Sequence, residues 1–176
     1  FQHEPRFRPS SLVRPRIAAG LYGRKTGEGW YRYDGDKKIE QPQRAVPTLP
    51  AGLKVWIDDA AERRNEISTM AKAAGAEVVA SPAGDCLLVV QPWGVDATGY
   101  CVEKELDAAR CVAIDPLPKF EQRRTLMLTT LTTEAMRDAA LALFASDGVA
   151  VTVINDSPGF VVQRVLATIV NIAANI

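Results

Sequence analysis

Side chains able to do chemistry are few in this sequence, and they are scattered. The only histidine is His3. Asp58 and Asp59 stand side by side where the apolar run LKVWI ends. Adjacent carboxylates suit either a metal ion or the positive end of a helix. No other ligand type clusters with them, so a helix start is the reading taken and no metal site is expected. Cys86, Cys101 and Cys111 lack C-x-x-C spacing, and three thiols cannot all pair with one another. They read as reduced, small apolar groups of a cytoplasmic protein. The stretch GLYGRKTGEGWYRYDG, Gly20 to Gly35, joins five glycines to the basic pair Arg24 and Lys25. Such a loop either cradles an anion or simply turns the chain through positive φ, and Arg24 and Lys25 then meet a phosphate or stand in water. Gln163 and Arg164 are polar positions in an otherwise apolar final stretch.

The elements that must position these residues are legible as alternating patterns. LKVWI (53–57), AEVVAS (76–81), CLLVVQP (86–92), CVAID (111–115), TLMLTT (125–130) and VAVTVIN (149–155) are short apolar runs, expected as strands. DDAAERRNEISTMAKAAG (58–75) predicts a helix, VEKELDAAR (102–110) a short one, and TEAMRDAALALFASDG (133–148) another, with Thr133 as cap and Gly148 as stop. DSPGF is expected to open the last helix, with Asp156 and Ser157 as caps and Pro158 at its first position. Continuous apolar strands alternating with helices predict an α/β fold, a parallel sheet covered by helices on both faces. Ahead of it, SSLVRPRIAAG predicts a short helix limited by Pro15, and Trp30, Tyr31 and Tyr33 are expected to close a small core. The stretch 35–52 holds three prolines and many charges, and reads as a linker.

Lys plus Arg and Asp plus Glu number 21 each, so the net charge is zero. That balance argues against nucleic acid or an anionic membrane as a partner. The last helix is apolar almost all round, which calls for burial or a membrane. Gln163, Arg164, Asn171 and Asn175 speak against a membrane span, leaving further helices or a second copy of the chain to cover it. The chain opens on Phe1 and closes within a helical pattern, so it is expected to be a fragment of a longer polypeptide.

Two separated passages resemble one family. DSPGFVVQRVL, 156–166, is similar to the D-S/T-P-G-F-x-x-N-R sequence that starts the C-terminal helical domain of the NAD-dependent 3-hydroxyacyl-CoA dehydrogenases. GLYGRKTGEGWYRYD is similar to the G-x-x-G-x-K-T-G-x-G-F-Y-x-Y sequence that ends the same domain, and RPSSL, 8–12, agrees with an element expected just before it. The ending motif comes first and the starting motif last, as in bacterial members with a duplicated C-terminal half. The resemblance therefore implies the tail of a first helical domain over 1–34, a linker over 35–52, a degenerate Rossmann-like domain over 53–156 and the first helix of a second helical domain over 157–176.

The resemblance further implies a parent enzyme that oxidises a 3-hydroxyacyl-CoA to the 3-oxoacyl-CoA with NAD, as a homodimer. The middle domain departs from that pattern. A dinucleotide needs a G-x-G-x-x-G turn after the first strand, where its pyrophosphate meets backbone N–H groups at a helix N-terminus. Here LKVWI runs into Asp58 and Asp59, whose charge opposes a phosphate. In the segment matching H-F-F-N-P-V-P, VAIDPLP (112–118), Val112 stands for the histidine general base and Asp115 for the asparagine, and the orienting glutamate maps near Leu126. No catalytic or cofactor-binding residue is therefore expected here, and no NAD on this fragment. Substrate contacts carried over by resemblance are Arg24 and Lys25, toward a CoA phosphate, with Gln163 and Arg164 in the final motif. An acyl-CoA or other ligand held for regulation is the alternative.

Overall fold

A computed structural model describes residues 8–39 and 45–174. The chain forms two compact units, Phe1–Ala45 and Val46–Ile176. In the first, helix α1 spans Val13–Ala18, a 3-10 turn Arg24–Thr26, and strands β1 (Tyr33–Asp34) and β2 (Lys37–Lys38) pair as an antiparallel hairpin. The glycines serve the turns. A Cβ on Gly29 would lie 2.7 Å from the Gly23 backbone, so only glycine permits that approach. Thr26 Oγ1 accepts from Tyr22 N at 3.0 Å and donates to the Glu28 carbonyl at 3.0 Å, fastening the loop from inside. The aromatic closing core expected here is corrected: Trp30 and Tyr31 are 60% and 54% exposed. Arg16 stacks on Trp30 at 3.8 Å and Lys38 on Tyr31 at 3.9 Å, so the rings carry cations instead of filling a core.

The second unit is α/β and Rossmann-like. Strands β3 (Lys54–Ile57), β4 (Glu77–Val79), β5 (Leu87–Val90), β6 (Cys111–Ile114), β7 (Arg124–Leu128) and β8 (Val151–Ile154) form one sheet in the order β4-β3-β5-β6-β7-β8. Helices α2 (Arg64–Ala73), α3 (Ala97–Glu103), α4 (Glu134–Phe144) and α5 (Val161–Ala173) accompany it. Side chains alternate between faces with the strand period. Val55, Ile57, Leu87, Val89, Val112, Ile114 and Leu126 share one core with residues of α2 and α4. Trp56, Leu88, Val90, Ala113 and Met127 share the other with Ala97 and Cys101 of α3 and with Phe160. Apolar on both faces, these strands read as unbroken apolar runs in the sequence.

The sheet is not wholly parallel, as the sequence had suggested: β7 pairs antiparallel with β6, Ala113 opposite Met127. The residues between them hold Pro116 and Pro118 and no helix, and a parallel return needs a crossover. Three helix boundaries differ as well. Helix α2 begins at Arg64 rather than Asp58 because the Asp58 carboxylate accepts from Ala60 N at 3.0 Å and holds a turn. The helix expected over 102–110 lies earlier, at Ala97–Glu103, with Asp96 as its cap, and only a 3-10 turn remains at Ala108–Arg110. Helix α5 starts at Val161, and Pro158 and Gly159 form a bend before it. Thr133 does cap α4, accepting from Met136 N at 3.3 Å, and Gly148 follows the helix with φ 82°. Among the described residues no helix is long and apolar enough to cross a membrane.

Candidate functional site

Open α/β sheets place ligands beyond the carboxyl ends of the strands, where the strand order reverses. Here the reversal falls between β3 and β5, because the chain leaves β3 for β4 on one side and returns to β5 on the other. The chain's own groups fill that corner. Asp58 is 7% exposed, and its Oδ2 accepts from Tyr100 Oη at 2.6 Å. Burial, and then the bond to Asp58, push the Tyr100 phenol well above its ordinary range. Three N–H groups of the turn already have partners: Ala60 N on Asp58 Oδ1, Ala61 N on the Asp58 carbonyl at 3.0 Å, and Arg63 N on Gln91 Oε1 at 2.8 Å.

Arg63 closes the other side. Its Nη1 donates to the Pro118 carbonyl at 2.6 Å and to the Pro116 carbonyl at 3.3 Å, and its guanidinium lies 3.5 Å above the Phe120 ring. Glu66 completes the fork, accepting from Arg63 Nε at 3.0 Å, and that bond lowers the Glu66 pKa. The sequence offered little sign of this arrangement. Arg63 lay inside an expected helix, and Tyr100 lay before one.

The residues mapped by resemblance fall in distinct places. Val112 and Leu126 are fully buried in the core against α2 and α4, among apolar side chains with no ionisable group. Asp115, at the end of β6, is 1% exposed. Its Oδ1 accepts from Leu117 N at 3.2 Å, while Oδ2 makes no hydrogen bond of ordinary geometry among the described residues. Burial raises its pKa, and the Leu117 N–H and the neighbouring Gln163 amide oppose the rise. Gln163 is 8% exposed and ties α5 to the loop after β5: Oε1 accepts from Gly94 N at 3.0 Å, and Nε2 donates to the Pro92 carbonyl at 3.3 Å. Arg164 is exposed and lines a shallow groove of about 350 Å³ with Val161, Val165, Thr168 and Ile169. Arg24 and Lys25 are exposed in the 3-10 turn of the first unit, Arg24 with its guanidinium 5.8 Å from the Tyr33 ring.

Asp156 and Ser157 do not cap α5, a correction with a tertiary cause. The Asp156 carboxylate accepts from Ala97 N at 2.7 Å, from Thr98 N at 3.2 Å and from the Thr98 hydroxyl, so it caps α3 across the fold. Ser157 Oγ donates to the Gly159 carbonyl at 3.2 Å. His, Cys, Asp and Glu side chains form no group able to hold a metal among the described residues.

Asp115 carries a testable consequence. A carboxyl whose folded pKa is raised keeps its full stability contribution below the unfolded value, near 3.8, and loses it as pH rises through the folded value. Asp115→Asn should therefore be more stable than the parent at neutral pH, by about 1 kcal/mol, the usual cost of a buried polar group left unpaired. The difference should shrink toward zero in acid. Urea titrations from acid to neutral pH check this, and a pH-independent difference contradicts it.

No family model and no curated protein matches the chain. Among solved structures it is similar to the crystal structure of 3-hydroxybutyryl-CoA dehydrogenase from Escherichia coli K12, with a TM-score of 0.53 and 23% identity. The likeness covers 97% of this chain and 31% of that one, so the chain spans about a third of the structure it matches. At that identity the likeness establishes the fold: a mixed six-stranded sheet flanked by helices, of the kind found in a dehydrogenase.

Proposed function

We propose that the chain is part of a 3-hydroxyacyl-CoA dehydrogenase and that its α/β unit is a non-catalytic scaffold within that enzyme. The parent would oxidise 3-hydroxyacyl-CoA to 3-oxoacyl-CoA with NAD, in the cytoplasm, in fatty-acid or aromatic-acid breakdown. The resemblance of the two terminal motifs supports the family, and the fold likeness along nearly the whole chain agrees with it. The observation that carries the scaffold reading is the β3–α2 corner, where the N–H groups of Ala60, Ala61 and Arg63 are bonded to Asp58 and Gln91 and whose space holds Tyr100 and Arg63.

In this reading Arg24 and Lys25 serve the CoA phosphates, Gln163 holds the start of α5 in place, and Arg164 faces the acyl-CoA. Helix α5, with Val165, Ile169 and Val170 54–60% exposed, would carry contacts to further helices or to the second protomer of a homodimer. The groove beside Arg164 favours a second reading, in which an acyl-CoA sits there as a regulator: apolar walls would suit an acyl chain, and the guanidinium a phosphate.

Calorimetry with NADH separates the two main outcomes. The chain should give no saturable heat of binding, while the full polypeptide oxidises 3-hydroxyacyl-CoA with unchanged rate when Arg63 is replaced by Gln. Saturable NADH binding to the chain overturns the scaffold reading. Failure of the full polypeptide to turn over any 3-hydroxyacyl-CoA overturns the family.

A further inference from the structure

The sequence holds two Asp-Gly pairs, Asp34-Gly35 and Asp147-Gly148. In such a pair the main-chain nitrogen of the glycine can attack the aspartate Cγ and close a five-membered ring, because glycine has no Cβ to crowd the approach. The two pairs sit in opposite surroundings. Asp34 ends β1, and Gly35 takes the first of the two turn positions before β2, with φ 57°, the place that a type II′ hairpin turn gives to glycine. Both residues are exposed, and a Cβ on Gly35 would meet nothing within 4 Å. Among the described residues the Asp34 carboxylate has no hydrogen bond or ion pair, and the Gly35 N–H has no acceptor.

Asp147-Gly148 is fastened at both reacting groups. Asp147 Oδ1 and Oδ2 accept from Arg124 at 2.8 and 2.6 Å, and Oδ1 also accepts from Val149 N at 3.2 Å. Gly148 N donates to the Ala145 carbonyl at 3.0 Å, so the nucleophile is engaged as well. The bond from Arg124 also keeps the carboxylate ionised, and an ionised carboxylate has no hydroxyl to lose. Mobility differs in the same direction. The β1–β2 hairpin has two residue pairs, Tyr33–Lys38 and Asp34–Lys37, and no described residue of its unit is buried. A two-stranded hairpin without a core is marginal and opens at little cost. Ring closure needs that opening, since an extended residue must rotate its ψ to bring the next nitrogen onto its Cγ.

We propose that Asp34-Gly35 is a site of spontaneous main-chain isomerisation, converting to an isoaspartyl linkage while Arg124 and the Ala145 carbonyl hold Asp147-Gly148 unreactive. The Gly35 nitrogen bonds to Asp34 Cγ and loses its proton, the protonated carboxyl loses its hydroxyl, and one water leaves to give a cyclic imide. One water then adds. Opening at Cγ restores the aspartate. Opening at the Asp34 main-chain carbonyl breaks the original amide bond and leaves the chain running through the side chain, with the α-carboxylate free. No oxidant or cofactor takes part, and the mass is unchanged overall. The main chain gains one methylene at the turn, so the Asp34–Lys37 pairing is lost and the register that sets Lys38 over Tyr31 loosens.

Incubation of the folded chain at physiological pH and temperature, followed by peptide mapping, tests this. A peptide containing Asp34 with unchanged mass and altered retention is expected, resistant to a protease that cleaves before aspartate and preceded by a form lighter by one water. Asp34 should convert about tenfold or more faster than Asp147, as the segment that opens more easily reacts first. Asp34→Glu should abolish the product, because the ring would be one atom larger, and Arg124→Met should start conversion at Asp147. Equal rates at the two pairs, product persisting in Asp34→Glu, or an Asp34 that stays intact over the time in which the free peptide YDGDK converts each overturns the proposal. An inert Asp147 in Arg124→Met overturns the part given to Arg124.

Discussion

Phe160→Ala is expected to lower the unfolding free energy by about 3–5 kcal/mol, as large-to-small changes at fully buried aromatic positions do. Phe160 is fully buried, among Trp56, Leu88, Val90, Ala97 and Met127, and its carbonyl accepts from Arg164 N at 3.0 Å in the first turn of α5. Truncation thus leaves a cavity and also weakens the point where α5 meets the sheet. Since a domain of this size holds roughly 5–15 kcal/mol in total, the variant should be near its folding limit. Val161, the next residue, is 49% exposed, and Val161→Ala should cost under about 0.5 kcal/mol in this chain. Denaturant unfolding of both variants checks the contrast. A loss below about 1 kcal/mol for Phe160→Ala would mean that α5 is not held by this ring.

The second large effect concerns a buried cation. The Arg124 side chain is 3% exposed; it donates to Asp147 Oδ1 at 2.8 Å, to Asp147 Oδ2 at 2.6 Å and to the Phe144 carbonyl at the end of α4. Asp147 is half exposed. The two partners should therefore respond unequally. Asp147→Ala leaves a charge in the interior without its counter-ion and should cost about 3 kcal/mol. Arg124→Met fills similar volume, returns Asp147 to water and should cost less. The bond from Arg124 holds the Asp147 pKa below its ordinary 3.8. Its contribution is present above that unfolded value and is lost as pH falls through the folded one, reduced by solvent screening at the half-exposed carboxylate. The Asp147→Ala variant should lack this component of the acid limb. Equal losses for the two substitutions would show that the pair is worth no more than its packing.

What could be read directly was local. The apolar runs 86–92 and 111–115 each contain a strand buried at every position, because a strand covered on both faces must be apolar throughout; 53–57 and 149–155 also contain strands, the latter half-buried at the sheet edge. Thr133 and Gly148 bound α4 because a cap and a left-handed stop act within one turn of their own helix. The missing glycines after β3 were also visible, and the turn there is built on the Asp58 side chain instead. Helix α3 escaped notice because Gly99 and two β-branched residues weaken its local signal.

The sequence by itself determined the α/β class, the approximate seats of the strands and the lack of a phosphate-admitting turn, since each depends on residue types within a few positions of one another. Only the tertiary structure decided the reversed direction of β7, the capping of α3 by Asp156 and the filling of the β3–β5 corner by Tyr100 and Arg63. The Tyr100–Asp58, Arg63–Pro118 and Asp156–Ala97 contacts join residues 42 to 59 positions apart, and such partners become neighbours only after the sheet has brought their strands together.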